Sequence, residues 1–293
     1  MKLSEVKGSD RVERDGEFSS IAVMPRWRIG ALLPIIGTDQ IAMLSKGNFR
    51  GCVITTKDLL PKVPVNIGAI VSEHPVEALY DIHNALVKGS VFYAPTPENQ
   101  IDGSADIHPT AIIASKGVRI GKDCIIGPKA SILEGSIIEK NVIIGPGTVI
   151  GSEDPLLFRK GSGSERVLSA GGVLLREDVE IHANCNISRG IFGDSTVIGA
   201  GVKFDNLVCI GQNTKIGDRS FLAACASIGS DVVMGKEVWI GPNSTVSSGV
   251  TIGDNGYVTI GAVVVEDVRP NQKVTGNYAI DHDRFIEFLK KIR

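Results

Sequence analysis

The sequence predicts a mainly β protein built on a parallel β-helix, with an α/β domain before it and a short helix after it. A large apolar residue recurs every sixth position through two long blocks, the first hundred residues lack that period, and the final residues have helical spacing. With 293 residues and 43% hydrophobic content, the chain is long enough to form two or three structural units.

The first hundred residues are expected to form a separate α/β domain, residues 1–100. The apolar runs RGCVITT and NIGAIVS are typical of short strands, whereas HPVEALYDIHNALV has the spacing of an amphipathic helix. The segment YAPTPENQIDG is rich in proline and turn-forming residues. We therefore expect it to link this domain to the first hexapeptide at Ile107.

The period of six predicts the β-helix, over residues 101–268. In the second block the anchors are Ile198, Phe204, Ile210, Ile216, Leu222, Ile228, Met234, Ile240, Val246, Ile252, Val258 and Val264. In the first block the anchors are Ile107, Ile113, Ile120, Ile126, Ile132, Ile138, Ile144 and Ile150. The six-residue period resumes at Leu175, Ile181 and Ile187. Such a period fits a very short strand, one inward aliphatic side chain and a corner. Three faces make one triangular coil, and a β-sandwich would not hold one register through so many anchors.

The period breaks between Ile150 and Leu175, where residues 151–174 are expected to form an inserted loop. Long loops in a compact repeat are commonly functional or disordered. Glu153 and Asp154 are candidate substrate-binding residues, because a loop folded over a neighbouring subunit could deliver a carboxylate to an amine. The alternative is that both are solvated surface charges.

Residues 269–293 are expected to leave the prism and end in an amphipathic helix. Phe285, Phe288, Leu289 and Ile292 follow helical spacing. Lys290, Lys291 and Arg293 lie at the C-terminal end, where the helix dipole favours cations.

Charge and cysteine content exclude several classes of protein. The 31 basic and 33 acidic residues give a net charge of −2, which offers no electrostatic basis for binding nucleic acid or an anionic membrane. We find no apolar stretch of a length that would predict a signal peptide or a membrane span. The five cysteines form no CxxC pair and no three-histidine set is present, so we expect a cytoplasmic protein without disulfides or a metal site.

The segment VEIHANCNISRGIFGDSTVIGAGVKFDNLVCIGQNTKIG, at 179–217, resembles the UDP-3-O-acylglucosamine N-acyltransferase family. That family has an Asp-Asn pair and, seven residues beyond the Asp, a catalytic histidine followed by Asn. Asp205, Asn206 and Asn213 match this pattern, and Gln212 stands where the family has its histidine. More broadly, the chain resembles hexapeptide nucleotide-sugar N-acyltransferases, some of which lack a histidine base.

This resemblance implies a left-handed β-helix, a homotrimer and a nucleotide-binding-like N-terminal domain. It also implies transfer of an acyl group from acyl-CoA or an acyl carrier protein to the amino group of a UDP- or dTDP-linked aminosugar. Such a reaction would serve surface-glycan or lipid A synthesis. No permanently bound cofactor is expected.

Asp205 and Gln212 are the candidate catalytic residues, and Asn206, Asn213 and His182 join the loop carboxylates as candidate substrate contacts. A glutamine amide cannot accept a proton from an amine, so Gln212 is expected to orient the substrate, while Asp205 stabilises or accepts the amine proton. The 18-residue spacing puts Asp205 in a column with Ala223, Gly241 and Thr259, and Gln212 in another with Ser230 and Ser248. Asp205, Gln212 and His182 are each alternatively plain corner residues.

Two other functions remain open from the sequence. A homologue that kept its sugar-nucleotide site but lost catalysis would be a binding or regulatory protein. An O-acyltransferase is disfavoured, because attack by a hydroxyl depends on a base far more than attack by an amine.

Overall fold

The computed structural model describes residues 1–6, 11–23, 29–46, 49–89, 92–93, 96–160, 163–276 and 282–292, and the side chains at 45, 46, 159, 285 and 292 lie outside the description. The chain forms two compact units. The first consists of Met1–Pro97, Glu153–Gly172 and Arg189–Ser195. The second consists of Glu98–Ser152, Val173–Ser188 and Thr196–Arg293.

The first unit contains a five-stranded sheet, as an α/β domain requires. Its strands in chain order are Val12–Arg14, Ser20–Ile21, Ala31–Ile35, Cys52–Thr55 and Gly68–Val71, and their spatial order is 1-5-4-3-2. The first strand is antiparallel to its neighbour and the other pairs are parallel. Helices α1 (Thr38–Lys46) and α2 (Pro75–Gly89) and 3-10 turns at Leu3–Glu5 and Leu60–Lys62 complete it. The predicted strands and helix are confirmed.

The apolar runs become central strands because both of their faces are covered. Every residue of Ala31–Ile35 and of Cys52–Thr55 is buried, which is typical of parallel strands between layers. Helix α2 buries Leu79, Ile82 and Leu86, the apolar stripe that its sequence spacing predicts.

The insertion after Ser152 contains a β-hairpin, Leu157–Lys160 paired with Gly163–Arg166, where the sequence analysis expects a loop. It belongs to the first unit. Phe158 is buried in the core of that unit and its ring lies 5.2 Å from that of Tyr80 on α2. Burial of apolar side chains against α2 therefore orders a segment whose glycine and serine content favours irregular backbone.

Two buried side chains of α2 bind the backbone after the hairpin. The Asn84 amide donates to the Arg166 carbonyl at 2.8 Å and accepts from the Leu168 N–H at 2.9 Å. The Nε2 atom of His83 lies 2.6 Å from the Leu168 carbonyl oxygen. We name these contacts the α2 clamp.

A second excursion from the repeat, Arg189–Ser195, also belongs to the first unit and is absent from the sequence-based prediction. Ile191 and Phe192 are buried in the same core as Phe158. The consecutive anchors Ile187 and Ile198 are eleven positions apart instead of six, and this irregularity is the sequence feature that marks the excursion.

The second unit is a prism with three faces, each a parallel sheet. The first face has the strands Asp106–Ile107, Ile125–Ile126, Ile143–Ile144, Glu180–Ile181, Lys203–Phe204, Phe221–Leu222, Trp239–Ile240, Tyr257–Val258 and Lys273–Val274. The second has Ile112–Ile113, Ser131–Ile132, Val149–Ser152, Asn186–Ser188, Cys209–Ile210, Ser227–Ile228, Thr245–Val246 and Val263–Val264. The third has Gln100–Ile101, Arg119–Ile120, Ser136–Ile138, Gly172–Leu175, Ser195–Ile198, Lys215–Ile216, Val233–Met234 and Thr251–Ile252.

The predicted hexapeptide register is confirmed. From Arg119 to Val264, neighbouring strands are 18 residues apart wherever no excursion intervenes, as in the pairs Phe204 with Leu222 and Ile216 with Met234. The spacing is 19 in the first coil, where Ile107 pairs with Ile126, and 16 in the last, where Tyr257 pairs with Lys273. The predicted anchors from Ile120 onward are all buried and form one continuous core. This is the architecture of the left-handed parallel β-helix.

The corners depend on residues in the left-handed backbone region. Leu207, Asn213 and Cys225 have φ values of 62°, 59° and 62°. At Leu207 and Cys225, the N–H donates to a corner carbonyl of the preceding coil, at 3.0 Å in both cases. The corners are thus hydrogen-bonded along the prism as regularly as the faces.

The prism extends further at its C-terminal end than the sequence pattern indicates. It begins at Gln100–Ile101, within one residue of the expected boundary at 101, although the first anchor was expected at Ile107. It does not end at Val268, because Lys273–Val274 pairs with Tyr257–Val258. This last strand lies in a stretch rich in turn-forming residues, which hides it in the sequence.

The predicted C-terminal helix is present as α3 (His282–Ile292). Phe288 is exposed and Leu289 is half-buried, whereas the side chains of Phe285 and Ile292 lie outside the description. Within the described ranges, no helix has the length and apolarity needed to cross a membrane. Cys52, Cys124 and Cys185 are buried free thiols, and Cys209 and Cys225 are exposed ones.

Candidate active site

Asp205 lies at the corner between the first and second faces, directly after the strand Lys203–Phe204. Its N–H donates to the Leu222 carbonyl of the next coil at 2.8 Å. Its Oδ1 accepts from the backbone N–H of Asn206 at 2.7 Å and from the Asn206 side chain at 2.9 Å. One carboxylate oxygen therefore fixes the turn, and among the described residues Oδ2 has no hydrogen-bond partner.

Asn206 is exposed but holds the same corner together. Its Oδ1 accepts from the Ala183 N–H at 3.0 Å, and its carbonyl accepts from the Cys225 N–H at 3.0 Å. It thus contacts the coils on both sides. This geometry supports a corner role for Asn206 as directly as a substrate contact.

The column headed by Asp205 continues through Ala223, Gly241 and Thr259, as the spacing predicts. The small residues leave this column without large side chains beyond Asp205. Thr259 is buried, and its Oγ1 has no hydrogen-bond partner in the part of the chain that the structure describes.

The structure places a further residue, His182, in this column, where the sequence pattern did not indicate it. Ile181 pairs with Phe204, so His182 is the register neighbour of Asp205 on the preceding coil. The two are 23 positions apart, because the excursion Arg189–Ser195 adds residues to an 18-residue coil. Allowing for that excursion would have revealed the pair in the sequence.

Gln212 lies at the next corner, between the second and third faces. Its side chain is 5% exposed, and its Oε1 is a buried acceptor with no partner within the described ranges. Its carbonyl accepts from the Asp231 N–H at 2.8 Å. Buried polar atoms are nearly always hydrogen-bonded, so this unpaired oxygen is available to accept a hydrogen bond from a ligand or a water.

The column above Gln212 consists of Ser230 and Ser248, as predicted. The Ser230 N–H donates to the Ser248 Oγ at 3.1 Å. Beside Gln212, Asn213 donates through Nδ2 to the Asp231 carboxylate at 3.3 Å. Asn213 is thereby fixed in a corner whose positive φ suits asparagine.

Asp205 and Gln212 occupy two different corners of one coil. The strand Cys209–Ile210 of the second face lies between them. One chain therefore presents these two candidate catalytic side chains separately.

Glu153 and Asp154 belong to the first unit. The Glu153 carboxylate forms an ion pair with Arg166 of the hairpin. The Asp154 carbonyl accepts from the Leu156 N–H at 2.9 Å. Glu153 is thus engaged at the base of the hairpin.

No group of three or more His, Cys, Asp or Glu side chains in the described ranges is arranged to hold a metal ion.

Comparison with known proteins supports the transferase repeat. A family model described as bacterial transferase hexapeptide (six repeats) matches residues 117–152, and one described as hexapeptide repeat of succinyl-transferase matches residues 231–265. The UDP-3-O-acylglucosamine N-acyltransferase of Bordetella pertussis is 27% identical over 301 residues, covering 88% of this chain and 82% of that protein. The chain is homologous to these N-acyltransferases.

Coverage differs among the relatives. The enzyme of the same name from Herminiimonas arsenicoxydans is 31% identical over 165 residues, and the chain spans about half of its length, with 56% of this chain and 47% of that protein covered. Among solved structures, the UDP-N-acetylglucosamine acyltransferases of Campylobacter jejuni and Francisella novicida are 18% and 22% identical, with TM-scores of 0.47 and 0.48. They cover 67% and 66% of this chain, and 82% and 73% of their own.

Proposed function

We propose that this protein transfers an acyl group from a thioester to the amino group of a nucleotide-linked aminosugar. The observation that carries the proposal is the homology to N-acyltransferases over most of the chain, with the Asp-Asn pair and Gln212 on two corners of the hexapeptide prism. The donor is acyl-CoA or an acyl carrier protein, and the acceptor is a UDP- or dTDP-linked sugar. The reaction takes place in the cytoplasm.

The reaction is attack of a neutral amine on the thioester carbonyl. The C–N bond forms as the carbonyl oxygen becomes an oxyanion, which backbone N–H groups at the corners stabilise. The C–S bond then breaks, and the amine proton finally reaches the thiolate. Much of the rate enhancement comes from holding amine and thioester in contact.

Gln212 acts by orientation. A primary amide has no basic lone pair for an amine proton, but its oxygen accepts N–H hydrogen bonds. In the described part of the chain Oε1 is buried and unpaired. An N–H of the sugar amine, or of an amide in the carrier arm, would satisfy this oxygen.

Asp205 acts through its free Oδ2. With Oδ1 bound to Asn206, the carboxylate is held in place while the other oxygen stays available. A fixed negative charge stabilises the positive charge that develops on the attacking nitrogen.

A homotrimer unites the two corners. Because one chain presents Asp205 and Gln212 on different corners, we propose that Asp205 of one copy and Gln212 of its neighbour line the same cleft. In a closed ring of identical subunits, one surface of each subunit contacts a different surface of the next, and the same contact recurs at every interface.

The function is tested by incubating the purified protein with acetyl-CoA, longer acyl-CoA species and acyl carrier protein thioesters. Each donor is combined with UDP- and dTDP-linked aminosugars, and free thiol release and product mass are measured. The matched hydroxyl sugars are the control. Acylation of the amino sugars alone supports the proposal, whereas acylation of the hydroxyl sugars alone would favour an O-acyltransferase.

A second candidate rests on the glutamine at position 212. If no donor yields product while a sugar nucleotide binds with micromolar affinity, the protein is a binding or regulatory homologue.

A further inference from the structure

Three charged or titratable side chains form a chain of contacts beside Asp205. The Nε2 atom of His182 lies 3.1 Å from Glu180 Oε1. The other oxygen of that carboxylate accepts from the Lys203 Nζ at 2.8 Å. Glu180 thus bridges an imidazole and an ammonium on adjacent strands of the first face.

This contact fixes the tautomer of the imidazole. A carboxylate accepts but does not donate, so Nε2 carries the proton and Nδ1 carries the lone pair. In the described residues Nδ1 has no hydrogen-bond partner, and the side chain is 53% exposed. Neutral His182 therefore presents an oriented, unoccupied base to the surface.

Lys203 keeps the orienting group charged. Its hydrogen bond to Glu180 is the main reason that the pKa of Glu180 lies below the ordinary value. A carboxylate that stays ionised continues to accept from Nε2 across the neutral pH range.

His182 and Asp205 occupy the same corner position on adjacent coils. The His182 N–H donates to the Phe204 carbonyl at 3.1 Å, and parallel neighbours of this kind are about 4.8 Å apart. On the other side lies Gly145, where a Cβ atom would come within 2.6 Å of the His182 carbonyl carbon. Position 145 therefore adds no side chain beside His182 on the preceding coil.

Among the described residues, the charged groups on the adjacent strands and corners are Glu180 on the same strand and Lys203 and Asp205 on the coil that follows. The preceding strand and corner contribute Ile143, Ile144 and Gly145, which do not titrate. His108, in the same column, differs because its Nδ1 is hydrogen-bonded to Thr110 Oγ1 at 2.9 Å.

We propose that His182, positioned by Glu180, accepts the proton of the sugar amine, taking the role that Gln212 cannot perform. The inference rests on the proposed N-acyl transfer. As the C–N bond forms, one N–H proton passes to His182 Nδ1 and leaves an imidazolium beside Glu180. When the C–S bond breaks, the thiolate takes that proton, so the products are amide and free thiol and the imidazole is regenerated.

The test compares H182Q, E180Q and H108Q with the wild-type protein, with folding checked by melting temperature and assembly by sedimentation. H182Q should lower kcat by about 10²- to 10⁴-fold, the span of general-base catalysis, with little change in KM. At low pH the slope of log(kcat/KM) should fall from about 2 to about 1, because the substrate amine alone then titrates. E180Q should lower kcat less than H182Q does and shift the acid limb of the pH profile of kcat/KM. H108Q should match the wild type.

Chemical rescue gives an independent readout. Added imidazole should restore part of the activity of H182G and none to a folded D205N variant. Wild-type kcat and pH profile in folded H182Q would overturn the inference while leaving N-acyl transfer intact. An inactive wild-type protein would overturn the proposed function itself.

Discussion

Among the single residues, Gln212 is expected both to lower the stability of the free protein and to hydrogen-bond the substrate. Its amide oxygen is buried without a partner in the described part of the chain. Leaving a buried acceptor unpaired costs about 1–3 kcal/mol. A residue that destabilises the free protein and satisfies a substrate N–H is typical of a functional site, where stability and activity compete.

This competition predicts the effects of Gln212→Met, which keeps the length of the side chain and removes the amide. The melting temperature should stay unchanged or rise, because no unpaired acceptor remains, whereas kcat/KM for N-acyl transfer should fall at least about tenfold, which corresponds to losing one substrate hydrogen bond.

Thr214→Val is the matched control for that variant. Thr214 Oγ1 donates to the Gly229 carbonyl at 2.8 Å and accepts from the Val232 N–H at 3.2 Å. Its loss should lower the melting temperature and leave kcat/KM nearly unchanged. A Gln212→Met protein that loses stability and keeps full activity would show that this amide serves the fold.

Asp205→Asn should lower kcat by about 10- to 1,000-fold with little loss of stability, because the swap keeps the shape of the side chain and removes its charge. The Asn oxygen can still accept from Asn206. Asp254→Asn is the control, since Asp254 accepts from the Lys236 N–H at a corner between the third and first faces. Unchanged kcat in trimeric Asp205→Asn would reduce Asp205 to a turn residue.

At the scale of elements, the α2 clamp links the inserted hairpin to helix α2. His83 is fully buried, and its Nδ1 lies 2.7 Å from the Tyr93 hydroxyl. Nε2 faces a carbonyl and must carry the proton, so Nδ1 accepts from Tyr93. Burial lowers the pKa of His83, and the clamp therefore requires the neutral imidazole.

The clamp predicts that docking of the hairpin weakens in acid. Because the folded state binds this proton less readily than the unfolded chain, the associated stability is complete above about pH 6.5 and is lost as the pH falls from there toward the folded pKa. The protection factor of the Leu168 amide, which is the intrinsic exchange rate divided by the observed rate, should therefore fall as the pH is lowered from 7 to 5. In His83→Gln this extra pH dependence should vanish, and in His74→Gln, at an exposed site, it should persist.

A ladder of aromatic rings on the first face stabilises the stacking of three coils. The ring of Trp239 lies 4.6 Å from that of Phe221 and 5.9 Å from that of Tyr257, with interplanar angles of 22° and 9°. Each such pair contributes about 0.5–1.5 kcal/mol beyond area burial.

Trp239→Ala removes both stacked pairs and should lower the free energy of unfolding by more than Thr245→Ala, which alters the same coil on the second face. Chemical denaturation of both variants measures the difference. Equal losses would show that the rings add nothing to coil stacking.

At the scale of the whole molecule, the hexapeptide anchors made the prism predictable, because one inward side chain per six residues leaves no other fold that buries them all. The hairpin and the short excursion were not predictable in the same way, since their order depends on packing against α2 and its buried His83 and Asn84. The excursion also lengthened the sequence separation between His182 and Asp205 beyond that of a regular coil. The candidate side chains could therefore be identified from the sequence, whereas the position of His182 next to Asp205 could be found only by allowing for the excursion.

A shared active site predicts complementation between inactive subunits. If each cleft uses Asp205 of one copy and Gln212 of the next, random trimers of the Asp205→Asn and Gln212→Met proteins contain intact clefts in about one quarter of positions. Activity should recover to about that fraction of wild type after co-expression. Activity no higher than the average of the two parent variants would mean that the two residues do not share a cleft.

The proposed reaction forms an amide bond at the sugar amine. The most direct measurement supplies a sugar nucleotide labelled with ¹⁵N at the amine and a thioester labelled with ¹³C at the carbonyl, and records the NMR spectrum of the product. We expect a one-bond ¹³C–¹⁵N coupling that depends on the protein and disappears with the hydroxyl sugar. A labelled ester without that coupling, or no product with any thioester donor, would contradict the proposed N-acyl transfer.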